Sequence, residues 1–177
     1  MAGRRNNRSL STRGAAPLNY SDAINLLYAV ENPRRRNVKG NTVTSFDDGF
    51  APTIGPGVAS TSGANKKWFT GKPVNKREVD EFAVNHLRKN DEVIRSAYDS
   101  VYGTPKFPHP SDTISQTHRL LVAQNRYQRG SLGAGTNNIL SALANGRRSR
   151  VVNAVGNNTP NWDKDRHRRV KEFFKIK

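Results

Sequence analysis

The sequence contains no cysteine. That excludes a disulfide framework, a zinc–thiolate site and a cysteine nucleophile, and it leaves the chain indifferent to redox compartment. No uninterrupted apolar run approaches the roughly 20 residues of a membrane-spanning helix, so no membrane span is expected. Arginines near the N-terminus stand without the apolar segment of a secretory signal, so no signal peptide is expected either. Histidine is scarce: His86, His109, His118 and His167 lie far apart without a ligand spacing, and neither a metal site nor a cofactor is expected. Acids are also few. Fourteen Asp and Glu against thirty Lys and Arg leave a formal charge of +16. Such a surplus attracts nucleic acid, anionic cell-surface polymer or an acidic protein, without choosing among them. Apolar residues make up 34% of the chain, which predicts one domain with a modest core and long polar connections.

What is present changes character along the chain. Residues 1–20 carry Arg4, Arg5, Arg8 and Arg13 with no acid and almost nothing to bury, and read as a basic flexible or extended arm. In "YSDAINLLYAV" Ser21 suits a helix N-cap, and Ile24, Leu27, Tyr28 and Val30 form one apolar face until Pro33 stops the helix near Glu31. From about 38 to 58, β-branched residues broken by Gly40, Gly49, Gly55 and Gly57 predict a small antiparallel sheet. "STSGANKK" reads as a flexible loop. A helical body then runs from about 75 to 177. Its longest helix opens on Asn75 with Glu78 as a capping box, and "TPKFPHPSD" breaks the chain before a helix capped by Ser111 or Asp112 and ending near Gly130. Shorter helices follow from Thr136 to Gly146 and from Ser149 to Val155. Asp163 and Asp165 open the last one, which Lys175 and Lys177 close.

The first third of the chain holds four carboxylates: Asp22, Glu31, Asp47 and Asp48. Glycosidic cleavage needs one carboxyl group to protonate the leaving oxygen and a second to activate water or attack the sugar. A glutamate at a helix end facing an aspartate on a sheet supplies such a pair. The plainer alternative makes Glu31 an exposed partner of Arg34 or Arg35 and the aspartates ordinary turn residues. Trp68 and Trp162 are open to two uses, stacking on sugar rings or packing against the domain. The clusters "RRR", "RRSR" and "RHRR" could hold phosphates, but no specific nucleic-acid motif accompanies them.

The order of four segments is informative: an apolar helix ending in "ENP", then "FDDGFAPTIGPG", then "LVAQNRYQRGSLGAGTNNILSALANGRRSRVVNAV", and finally "DKDRHRRVKEFF". Over about residues 21–177 this order resembles the phage-type lysozymes, the muramidases of tailed bacteriophages and their bacterial relatives. The chain reads as a divergent member: "TIGPGV" stands where the family has Thr-Ile-Gly-Tyr-Gly-His, and "QNRYQRG" where it has Phe-Asn-x-Gly. The resemblance implies a lysozyme-like α+β fold, mainly helical with a small antiparallel β-sheet near the N-terminus. It implies Glu31 as general acid, Asp47 or Asp48 as the residue handling water and Thr53 as the cleft threonine, with Asn125 as a substrate-binding candidate; Trp68 is a second such candidate as an aromatic able to stack on a sugar ring. The family's inverting chemistry implies a carboxyl separation of about 6.5–9.5 Å.

The expected function is a peptidoglycan hydrolase cutting between N-acetylmuramic acid and N-acetylglucosamine, in the virion or at the host cell envelope. The alternative is a catalytically reduced structural or binding protein of a phage particle. Its partners would be other virion proteins, or nucleic acid gripped by the basic arm.

Overall fold

The computed structural model describes residues 16–103 and 110–175. The four arginines of the arm, most of the "TPKFPHPSD" break with its His109, and Lys177 lie outside the described residues, as does the side chain of Trp162. The fold is α+β and mainly helical, with two small antiparallel sheets.

Helix α1 spans Tyr20–Glu31. Its N-cap is Asn19, whose side chain accepts from the Asp22 amide at 3.0 Å. Ser21, the expected cap, therefore lies inside the first turn. Just before the helix, Leu18 is buried, and its carbonyl accepts from Arg88 Nε and Nη2 at 3.1 and 2.9 Å. Arg119 Nη1 holds the Ala16 carbonyl at 3.0 Å, and the same guanidinium forms a buried ion pair with Asp91. The boundary drawn at residue 21 is thus too late, because residues 16–19 are tied to the body by hydrogen bonds from helices far along the chain. Within α1, Ala23, Leu26, Leu27 and Val30 are wholly buried. Each leucine contributes about 1.5–3 kcal/mol relative to an exposed position.

The β region departs from one sheet over 38–58. Strands β1 (Val38–Lys39) and β2 (Thr42–Val43) form a sheet with β6 (Val74–Asn75), while β3 (Phe46–Asp47), β4 (Pro52–Ile54) and β5 (Val58–Ala59) form another. Every pairing is antiparallel, with Phe46 opposite Thr53 and Ile54 opposite Val58. With two or three residues per strand, these sheets depend on the side chains they send inward, Val43, Ile54 and Val58. The "STSGANKK" stretch is more ordered than expected. Ala64 is buried, and Asn65 caps a 3₁₀ turn over Lys66–Phe69 through the Lys67 amide.

Helix α2, Lys76–Tyr102, is the longest element, and Asn75 caps it through the Arg77 amide at 2.8 Å rather than that of Glu78. Helix α3, Gln116–Arg129, is capped by Ser115, not by Ser111 or Asp112. Ser111 is buried instead, bonded to the Asp99 carboxylate. Gly130 and Gly146 close α3 and α4 (Thr136–Asn145) in the left-handed conformation. Helices α5 (Arg148–Asn157) and α6 (Lys164–Phe173) complete the body. Helix α2 packs on α3, α4 on α5, and α6 returns to lie against α1. That last contact brings the C-terminal arginines beside Glu31. No described helix is long and apolar enough to cross a membrane.

Candidate functional site

The "ENP" that ends α1 is a structural joint. Pro33 cannot continue the helix, and the Asn32 side chain takes over the loose backbone beyond it. Its Nδ2 donates to the Gly55 carbonyl at 2.9 Å and to the Arg36 carbonyl at 3.1 Å, while its Oδ1 accepts from the Arg36 amide at 2.8 Å. One buried amide thereby fixes the helix end against the "TIGPG" turn. Gly57, at φ +89°, lies directly on Glu31, where an added Cβ would stand 2.6 Å from the Glu31 Cβ. The turn needs a glycine there for both its backbone angle and its closeness.

Glu31 forms the floor of one wall, with a side chain only 6% exposed. From α3, Gln124 and Gln128 both donate to Oε1, at 3.2 and 2.9 Å. From α6, Arg166 Nε stands 3.6 Å from Oε2, and it stands 3.5 Å from the carboxylate of buried Asp163. Burial raises the Glu31 pKa above the ordinary carboxylate range, with Asp163 adding to the rise, against the opposing pull of Arg166 and the two glutamine amides. Arg34 and Arg35, the partners offered by the plainer reading, make no ion pair with it.

The facing wall is the hairpin of β3 and β4. Phe46 and Thr53, paired across the hairpin, both line the cleft, so Asp47, next along β3, faces the other way, while Asp48 stands just beyond the strand in the turn. Asp47 is exposed, and its carboxylate accepts the Gly49 amide at 2.8 Å within the turn. Asp48 lines the cleft with Glu31 and Thr53. Its Oδ2 accepts the Thr53 hydroxyl at 2.7 Å, and Oδ1 accepts the Phe50 and Ala51 amides at 3.0 and 3.1 Å. Partial burial pushes its pKa up, but these three donors and the charge of Arg166 outweigh it, and the net direction is down.

The cleft between the walls is open, about 760 Å³ in volume. Arg34, Arg36 and Arg169 stand at its margin, with the Arg36 guanidinium 4.4 Å over the Phe46 ring. Phe50, 92% exposed, offers a free aromatic face at the lip. Neither Asn125 nor Trp68 belongs to this lining. Asn125 is buried, with its amide engaged by Thr159 and Asn158, and Trp68 is buried edge-on against Phe82. Substrate contact by these two side chains is thus blocked by their internal roles. Among the described residues no cluster of His, Cys, Asp and Glu could hold a metal ion.

Sequence reasoning did not identify Asn32, Gln128, Arg166, Asp163 and Phe50 as site residues. The pair Gln124 and Gln128 carried a usable signal, being one turn apart on the apolar face of α3. Arg166 and Asp163 carried none, since their proximity to Glu31 depends on how α6 packs. A second groove of about 730 Å³ lies across α1, but four of its charged groups form the pairs Lys76–Asp80 and Arg77–Glu81, and Arg35 lies over the Tyr28 ring. Comparison with models of known families, with curated proteins and with solved structures finds no match.

Proposed function

We propose that this chain is a peptidoglycan hydrolase with a lysozyme-like fold, cutting the glycosidic bond between N-acetylmuramic acid and N-acetylglucosamine. One observation carries the reading: two carboxyl groups line one open cleft, and their surroundings push their proton affinities in opposite directions. Glu31, dry and sharing its cation, is the group that holds a proton and gives it to the leaving glycosidic oxygen. Asp48, wetter and held by three donors, stays ionised and draws the proton from the water attacking the anomeric carbon on the opposite face. The Thr53 hydroxyl orients that carboxylate through its 2.7 Å bond. The ring of Phe50 is available to lie against a sugar face, and Arg34 and Arg36 draw an anionic polymer towards the groove. A virion or a host cell envelope is the setting this activity suits.

The test is release of reducing sugar from purified peptidoglycan by the wild type and by Glu31→Gln, at low and moderate salt because so basic a protein adsorbs to anionic polymer. The reading requires release by the wild type and almost none by the variant. A folded wild type that releases nothing overturns it. The other reading, a binding component of a phage particle, is favoured by exposed basic residues at the start of α5 and α6, among them Arg147, Arg150 and Lys164. Binding to nucleic acid through them would weaken with salt at a log-log slope of about −0.9 for each phosphate neutralised.

A further inference from the structure

Behind the cleft two buried carboxylates share one guanidinium. Asp163 is 3% exposed, yet the start of α6 receives no side-chain cap from it. Its Oδ1 lies 3.5 Å from Arg166 Nε, and its Oδ2 has no hydrogen-bond partner among the described residues. Glu31 Oε2 lies 3.6 Å from the same nitrogen. An aspartate buried with a bare oxygen is costly, and an ordinary helix cap would not be placed this way.

The neighbours explain why Arg166 is divided. Glu31 faces Gln124, Tyr127 and Gln128 of α3 and Arg166 of α6. Asp163 faces Arg166 and Arg169 of α6, Arg129 of α3, and Glu31. Two of those cations are committed elsewhere: Arg129 donates to the Asn158 carbonyl, and Arg169 Nε donates to the Val30 carbonyl at 2.9 Å. Among the described residues Arg166 alone stands within ion-pair distance of either acid, so at close range one guanidinium serves two carboxylates, with the charges of Arg129 and Arg169 acting on Asp163 from further off. Each acid in that position binds its proton more tightly than an exposed carboxyl does.

We propose that Asp163 is a positioning residue for the cleft acid: it holds Arg166 between two carboxylates, so that the guanidinium cannot close on Glu31 as a private ion pair. This rests on Glu31 acting as the acid in the reaction proposed above. Without Asp163, Arg166 would pair with Glu31 alone and weaken its hold on the proton it is to give up.

The experiment follows the side-chain carboxyl carbon of Glu31 by NMR through a pH titration of the full chain, in the wild type, Asp163→Asn and Arg166→Gln. Asp163→Asn is expected to move the Glu31 midpoint to lower pH, and Arg166→Gln to higher pH. The alkaline limb of peptidoglycan hydrolysis should move with it, the rate above the midpoint falling up to about tenfold for each pH unit of displacement. Asp163→Ser serves in the same way if the asparagine variant does not fold. A Glu31 midpoint that stays put or rises when Asp163 is neutralised overturns the proposal. Movement of the midpoint in a chain that never cleaves peptidoglycan refutes the hydrolase reading instead, and leaves the shared guanidinium standing.

Discussion

The two walls of the cleft hold the same functional group in different ways. On the helical wall, Glu31 sits against α3 and α6 with two amide donors and half a cation. On the hairpin wall, Asp48 is partly wet and receives a hydroxyl and two backbone amides. Each acid has donors, so hydrogen bonding alone does not distinguish them. Water does. Desolvation is the largest influence on both, and it wins on the dry wall but loses on the wet one, where the donors are short and the carboxylate keeps solvent contact. A pair of carboxyl groups with separate duties therefore needs unequal walls more than it needs different residues.

The largest effect is expected from leaving the dry wall unable to donate a proton. Glu31→Gln should lower peptidoglycan hydrolysis by at least about 10²–10⁴-fold, the usual contribution of a positioned proton donor, as read from reducing-end release. The same change should stabilise the fold at neutral pH. The sign follows from linkage: a carboxyl whose folded pKa is raised binds its proton more tightly when folded, so stability is lost as pH rises from the ordinary carboxylate range through the folded value. Removing that titration with an amide should raise the melting temperature at pH 7 by roughly 2–4 °C for each kcal/mol recovered, and the gain should vanish in acid.

Asp48→Asn attacks the wet wall and should cost about a hundredfold in turnover, while Asp47→Asn, pointing away from the cleft, should leave the rate within about twofold. Equal losses from the two would undo the choice of Asp48 as the cleft residue. Thr53→Ala should have a smaller effect, about tenfold, together with a rise in the Asp48 titration midpoint as it loses its 2.7 Å donor. Gly57→Ala tests the joint between the walls. With φ at +89° and Glu31 Cβ at 2.6 Å, it should cost more than about 1 kcal/mol by denaturant unfolding and displace Glu31 as well. The smallest effect is expected at the exposed Arg77 and Glu81 pair, where substitution by alanine should leave the unfolding midpoint unchanged within error.

Much of the architecture was legible because it follows from local rules. The glycines closing α3 and α4, the proline ending α1 and the apolar spacing of α2 each name their role within a few residues. The caps were misread where two polar residues competed, as Asn19 did with Ser21 and Ser115 with Ser111, since the losing residue also has the right chemistry. One sheet became two because β6 lies some thirty residues beyond its partner β2, and pairing over that distance leaves no mark on periodicity. At the site, Glu31 and the acidic hairpin could be picked out by residue type and position. The choice of Asp48 over Asp47 needed the strand register, and Arg166 and Asp163 needed the return of α6 across α1. Asn125 and Trp68 have the side chains of ligand-binding residues, but their burial shows them spent on the interior.

The measurement that bears most directly on the central claim is the pH dependence of peptidoglycan hydrolysis by the wild-type chain. Unequal walls predict a bell-shaped profile, with an acid limb below the ordinary aspartate range set by Asp48 and an alkaline limb above the ordinary glutamate range set by Glu31. Absence of hydrolysis at every pH, or a rate that rises with pH and never falls, would contradict it.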